Sequence, residues 1–283
     1  MQIRSLIIIV YFINICFAAN SQDSINSYFR SSGAIIMAVK AEDGIVIVAD
    51  SRLAYRSLQN HEVLAYQDGI PKIFPLKKFA LGISGNFSDG NTLIRKIIKD
   101  FEKSDPSYRT PEECLYKFGL FTKDKYPLYY ENLTTNTVIC AGYGPEPMIG
   151  ILLNGKTYPI NQDLWASNVF QEIDSLHLFT IPKEKNSKQV AEAAVDALKD
   201  YIKTFHKENE AGGLFSVLKI NADNSWKWIK NDFTGNDCLS ECESATAIYD
   251  KQVRLEYTSG ENKKIMSEAV RSIRKNCAQK NQK

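Results

Sequence analysis

Two β-branched, apolar runs, Ala34–Lys40 and Ile45–Asp50, stand only four residues apart, across Ala41-Glu42-Asp43-Gly44. Runs of this length and composition are strands, and the short polar link ending in glycine makes them a hairpin. A second pair, Ile73–Phe74 and Phe79–Ser84, follows. The period then changes. Leu93, Ile94, Ile97, Ile98 and Phe101 repeat at helical spacing behind Ser88 or Asp89 as N-cap. Pro111 at a first turn opens another helix over Pro111–Lys123.

Strands return at Thr137–Gly142, Met148–Leu153 and Thr157–Ile160, with Asn154-Gly155 as the turn between the last two. Val190, Ala191, Ala194, Val195, Leu198, Tyr201, Ile202 and Phe205 form one helical apolar face, capped by Asn186 or Ser187. After Gly212-Gly213, the strands Leu214–Ile220 and Trp226–Lys230 make a last hairpin around Ala222–Asn224. Strand blocks joined to helices with a matching apolar face imply layered sheets with helices outside, an α+β architecture. The stretch Asn161–Lys185 shows no regular pattern, and no internal repeat is present.

The 283 residues are 44% hydrophobic and 24% charged, which excludes disordered, collagenous and membrane-embedded classes. The formal net charge of +2 is unevenly spread. Lys251–Lys283 holds nine Lys/Arg against three Glu, so the preceding region is acidic and a nucleic-acid-binding core is not expected. In the basic tail Met266, Val270, Ile273 and Cys277 share a helical face. It is read as a surface helix with a solvated basic side, or as a docking helix for a partner.

Residues 1–21 read as a secretory signal. Arg4 supplies the positive end, Leu6–Phe17 is apolar apart from Asn14, and small residues follow. The apolar stretch is shorter than the ~20 residues of a spanning helix. Cleavage fits after Ala18 or after Ser21; Ser21 is preferred. The expectation is an exported chain with no membrane span after processing. Residues 22–33 would be a propeptide-like segment, 34–232 the main domain and 233–283 a C-terminal extension. Cys114, Cys140, Cys238, Cys242 and Cys277 remain, an odd number. Cys238 and Cys242 are the expected disulfide, and Cys140, inside an apolar run, is expected in the core. Three histidines distant from any cysteine pair argue against zinc, and no cofactor is expected.

The segment Gly33–Lys40, then Gly44-Ile45-Val46-Ile47-Val48-Ala49-Asp50-Ser51-Arg52, resembles the start of a proteasome β-type subunit. The resemblance continues through Pro71-Lys72-Ile73, Gly82-Ile83-Ser84-Gly85-Asn86-Phe87-Ser88-Asp89, Val138–Tyr143, Pro147–Leu153 and Val190–Phe205. It ends with Ala211-Gly212-Gly213 and Leu214–Ile220. It implies the four-layer αββα sandwich of N-terminal-nucleophile (Ntn) hydrolases. It also implies a threonine-type peptidase site, peptide or unfolded protein as ligand, and a ring-type homo-oligomer.

In such enzymes the first residue of the mature chain is a threonine whose own α-amine, with a pKa of about 7.7–8.0, serves as base. A lysine held by an aspartate lowers the cost of ionising the hydroxyl, and a glycine-turn N–H binds the oxyanion. By resemblance Lys72 is the lysine, Asp50 the aspartate and Gly85 the donor. The nucleophile position is Ala34, whose methyl group cannot attack a carbonyl. Glu208 and Ala211 stand where an Asp and a Ser would support the amine. The expectation is a degenerate site. The alternative is Ser32, or Ser31, as a processed nucleophile. Ser32 is two residues from Ala34, about 6.6 Å along a strand, whereas acid–base partners lie within ~2.6–3.2 Å. A further alternative is an unrelated exported binding domain. The segment Leu53–Gly69 is expected to be a long loop beside the cleft.

Overall fold

The computed structural model describes residues 29–32, 34–57, 60–85, 92–104, 106–133, 136–159, 165–182, 186–205, 207–231, 241–252 and 254–280. The expected signal segment lies outside them. Among the described residues no helix is long and apolar enough to cross a membrane.

The opening hairpin forms as β2 (Ile36–Ala41) and β3 (Gly44–Asp50), paired antiparallel from Ile36↔Ala49 to Ala41↔Gly44. β12 (Phe215–Ile220) joins β3, and β13 (Trp226–Lys230) and β11 (Trp165–Ser167) complete a five-stranded sheet, β11-β2-β3-β12-β13. A second five-stranded sheet, β10-β9-β8-β7-β6, uses β6 (Ile73–Pro75), β7 (Phe79–Ser84), β8 (Thr137–Tyr143), β9 (Pro147–Leu153) and β10 (Lys156–Pro159). The turn between β9 and β10 has Asn154 and Gly155 at φ +51° and +71°, as the Asn-Gly pair requires.

The alternation of side chains sorts the core. Ile36, Ala38, Ile45 and Ile47 pack with Ala80, Ile139, Ala141 and Ile149, the apolar contact between the two sheets. Met37, Val39, Val46 and Val48 face the other way, onto Val190, Ala194 and Leu198. Those three belong to a helix over Ser187–Thr204 whose N-cap Asn186 accepts from Gln189 N–H. On the far side of the second sheet, Leu81, Ile83, Val138 and Leu152 meet two helices, α1 (Ile94–Lys103) and α2 (Pro111–Lys125). A short α3 (Pro127–Leu133) follows α2, and α4 (Phe170–Ser175) precedes the Ser187–Thr204 helix, α5. The chain is thus α+β, with antiparallel sheets.

Several local expectations change. α1 begins one residue later than its apolar repeat, with Leu93 at the N-cap and no side-chain cap bond; Ser88 and Asp89 lie outside the described residues. The stretch called irregular contributes β11 and α4. The segment read as a long loop is a strand pair, β4 (Leu53–Ser57) and β5 (Val63–Gln67). Leu53 and Tyr55, like Leu64, are buried, so this hairpin has a core-facing side that the loop reading overlooked.

This hairpin is the centre of a third sheet, β1-β4-β5-β14. β1 (Phe29–Ser32) runs antiparallel to β4, from Phe29↔Ser57 to Ser32↔Ala54. β14 (Glu256–Tyr257) adds to β5 from the C-terminal side. α6 (Glu241–Tyr249) and α7 (Gly260–Lys280) complete the extension. Met266, Val270 and Ile273 of α7 are buried in one cluster with Tyr55, Leu64 and Ala65. The apolar face of the tail helix is therefore covered by its own domain. Lys263, Lys264, Arg271 and Lys275 remain exposed. Cys277 is disulfide-bonded, and its partner and the expected Cys238–Cys242 pairing lie outside the described side chains. Cys114 and Cys140 are free and buried. Burial, with Cys114 beside it, pushes the Cys140 thiol up and keeps it a core residue.

Candidate functional site

β3 ends at Asp50, and the chain brings four segments to that carboxylate. Oδ1 accepts from Ile35 N–H at 2.7 Å and from Lys72 Nζ at 2.9 Å. Oδ2 accepts from Gly212 N–H at 2.8 Å and from Arg52 N–H at 3.2 Å. Asp50 and Lys72 both have side-chain exposures of 0%. Lys72 also donates to the Arg52 carbonyl. A buried carboxylate is tolerated only when its lone pairs are filled and its charge is matched, and both conditions hold here.

Ala34 is buried beside this hub, and its φ is +125°. L-residues rarely adopt that conformation, and holding one there costs about 1–3 kcal/mol. The surroundings fix it. Its carbonyl accepts from Ser84 Oγ at 2.9 Å and from Asn168 Nδ2 at 3.0 Å. Asn168 Nδ2 also reaches Ser84 Oγ at 3.1 Å, while its Oδ1 accepts from Ile36 N–H at 2.8 Å. Asn168 follows β11, in the stretch where the sequence shows no pattern. A polar side chain working through backbone groups leaves no periodic signal.

Gly85, directly after Ser84, has φ +110°, and a Cβ there would sit 2.1 Å from Asn136 Oδ1. Only glycine fits. The late glycine pair is also held at positive φ. Gly212 has φ +131° and aims its N–H at Asp50, while a Cβ on Gly213, φ +70°, would lie 2.6 Å from Asp68 Cγ. Ser51 supports this turn through Oγ, which accepts from Gly69 N–H and Leu214 N–H.

Around the hub lies a charged rim. Arg52 makes a two-pronged contact with Asp68, Nε to Oδ1 at 2.7 Å and Nη2 to Oδ2 at 2.8 Å. Its guanidinium stacks 3.7 Å from the Tyr66 ring centre. Burial works against the Arg52 charge, but the Asp68 bonds and the nearby Tyr66 and Asp50 raise its pKa above the ordinary value. Arg52 also donates to the Glu208 carbonyl. Glu208 thus joins the site through its backbone, and the residue itself is exposed. Ser32, the last residue of β1, lies opposite Ala54.

The structure therefore gathers Ala34, Asp50, Lys72 and the Gly212 turn around one carboxylate, with Ser84 and Gly85 adjoining through the Ala34 carbonyl. Among the described residues no cluster of His, Cys, Asp and Glu is arranged to hold a metal ion. The geometry can orient a backbone and bury an ion pair. At position 34 it offers no hydroxyl to activate.

Comparison with known proteins bears on this arrangement. A model of the proteasome subunit family matches residues 31–121. No curated protein matches the chain. Among solved structures, the chain is similar to Anbu (ancestral beta-subunit) from Yersinia bercovieri, at 11% identity and a TM-score of 0.49, covering 70% of this chain and 88% of that one. The family match supports a proteasome-type fold, and it spans Ala34, Asp50, Lys72 and Gly85 while ending before Glu208 and the C-terminal helices. Over residues 31–121, the chain is similar to proteasome subunits.

Proposed function

We propose that this is an exported, proteasome β-like protein of the Ntn-hydrolase type whose site no longer performs peptide hydrolysis and which acts by binding. The observation that carries this is Ala34. It occupies the nucleophile position by resemblance, next to a Lys72–Asp50 pair that is retained, dry and bonded to backbone. A lysine arranged to lower the pKa of a hydroxyl has none to act on, so the pair serves the architecture. The three apolar clusters, one between the sheets and one outside each, support the αββα layering that the resemblance implies.

The ligand class in this reading is extended peptide. β1, a segment of the chain itself, lies antiparallel along the edge of β4, the way a peptide adds to a sheet edge. Loss of an N-terminal amine site fits Ala211, which has no hydroxyl, and Glu208, which meets the site through its carbonyl.

The test is incubation of the secreted protein with fluorogenic peptides and with an electrophile specific for N-terminal nucleophiles, followed by intact-mass analysis. The expected result is no turnover, no adduct and a mature chain starting near Gln22. A covalent adduct on a residue between 22 and 34, above all on a chain processed to Ser32 or Ser31, would overturn the reading.

A further inference from the structure

The outward face of α2 has no role in the site above. Along it stand Glu113, Tyr116, Leu120 and Lys123, at steps of three, four and three residues. This is the spacing of a seam that packs against another helix. Tyr116 is 62% and Leu120 49% exposed, large values for such side chains in the middle of a helix. Beside them runs a groove of about 110 Å³ lined by Leu115, Gly119, Tyr130, Leu133, Leu152 and Thr157, without a charged side chain. Gly119 forms part of that lining. A Cβ there would meet nothing within 4 Å, so the fold of the chain does not require a glycine. Glycine inside a helix costs about 1 kcal/mol relative to alanine. What it provides is room for a second helix to come close.

The charges say which helix. Glu113 lies at the N-terminal end of the stripe and Lys123 at the C-terminal end. Among the described residues neither forms an ion pair. Glu113 accepts from Arg109 N–H at 2.8 Å, and Lys123 Nζ sits 5.8 Å from the Tyr130 ring centre. The stripe is also symmetric about position 118. Residues 113 and 123 lie five places to either side of it, and 116 and 120 lie two places to either side. A second copy of α2 laid antiparallel across the first therefore sets Tyr116 against the partner's Leu120 and Glu113 against the partner's Lys123, twice each. A parallel arrangement would set Glu113 on Glu113 and is disfavoured.

We propose that α2 is a two-fold interface through which the chain pairs with a second copy of itself. Such an interface uses one self-complementary patch on each subunit and closes at two. It differs from a head-to-tail ring, which needs two different patches.

The experiment is sedimentation equilibrium of the full secreted chain over a concentration series, with thermal melts to verify folding. The wild type is expected to be a dimer. Leu120→Lys, at an exposed position, should keep a cooperative melt, lowered only by the lost association, and give monomer. Lys123→Glu sets two like-charge contacts in the pair and should weaken self-association roughly tenfold. Glu113→Lys should do the same alone, and an equimolar mixture of the Lys123→Glu and Glu113→Lys proteins should recover a heterodimer. Glu113 also bonds the helix start, so if its variant melts early, Leu120→Lys and Lys123→Glu decide. A wild type that is monomeric throughout would overturn the proposal. So would an assembly, ring or dimer, that is indifferent to both of those substitutions, or association that needs a foreign protein.

Discussion

The sheet that carries Asp50 and the sheet built on the β4–β5 hairpin hold together by different means. In the first, β2, β3 and β12 pair over their whole lengths, and β3 is buried from end to end. The Asp50 carboxylate at the end of β3 is sealed away from water with Lys72. The hairpin sheet is assembled from three distant parts of the chain, residues 29–32, 53–67 and 256–257. Its strands are short, and side chains tie its edge. Thr258 Oγ1 donates to the Val63 carbonyl at 2.7 Å, and Asn262 Nδ2 donates to Glu62 at 3.0 Å and to Thr258 Oγ1 at 2.8 Å. Arg56 pairs with Glu210 at 2.9 Å, tying the same hairpin to the loop after α5. The first sheet is a scaffold that tolerates little change at its hub. The other is expected to loosen at its edges before the scaffold unfolds.

Four changes would break or sharpen that contrast. The largest effect is expected from Lys72→Ala, which leaves Asp50 buried without its cation. The cost should be about 3–5 kcal/mol in urea unfolding, and a loss under 1 kcal/mol would show that the pair does not hold the scaffold. Met266→Ala removes a fully buried side chain between α7 and the hairpin. It should cost about 2–5 kcal/mol, with hydrogen exchange quickening in Val63–Gln67 before it quickens in β2 or β3. Simultaneous quickening would make the two sheets one unit. Asn262→Ala removes two bonds at the edge of the third sheet and should cost about 1–3 kcal/mol, again with exchange confined to β5 and β14. The smallest effect is at Asp43, in the β2–β3 turn. Its carboxylate accepts from Ser187 N–H at 2.7 Å, at the start of α5, and pairs with Lys219 at 2.5 Å. Burial tends to raise its pKa, but the Lys219 and Ser187 bonds leave it lowered. The stabilisation is therefore full above the unfolded value of about 3.9 and is lost as pH falls through the lower folded value. Asp43→Asn should cost well under 1 kcal/mol at pH 7, because the group is half exposed. The difference between wild type and variant should vanish in acid melts; a difference that grows there would reverse the sign.

The scaffold was legible where burial leaves a local mark in the chain. The β2–β3 pair followed from two β-branched runs four residues apart, β7 to β9 from apolar runs and the Asn154-Gly155 turn, α2 from Pro111 at a first turn, and α5 from its apolar face at helical spacing. α7 followed too, from Met266, Val270, Ile273 and Cys277. The third sheet was not legible as a whole. Phe29-Arg30-Ser31-Ser32 is too polar and too short to announce a strand, and Glu256-Tyr257 is two residues long. Both become strands because β4 and β5 present edges. Leu53, Tyr55 and Leu64 did carry an apolar signal, which the absence of a tight turn between Ser57 and Val63 obscured. At the site, resemblance picked out Asp50, Lys72 and Gly85. The bond from Ile35 N–H to the same oxygen that holds Lys72 could not be read, since backbone donors are the same in every sequence. Asn168 was missed for that reason as well.

The order β1-β4-β5-β14 also has a consequence in time. The hairpin at its centre is synthesised early, yet the strand that covers β5 and the helix that covers Leu64 come from near the end of the described chain. Closing so long a loop is slow even though its entropic cost grows only with the logarithm of its length. Until the C-terminal segment has been made, the hairpin has its outer edge bare and its apolar side exposed. That interval is when the chain is most open to pairing with the wrong strand. The Lys/Arg-rich segment that finally closes the sheet brings charge to the surface as it does so.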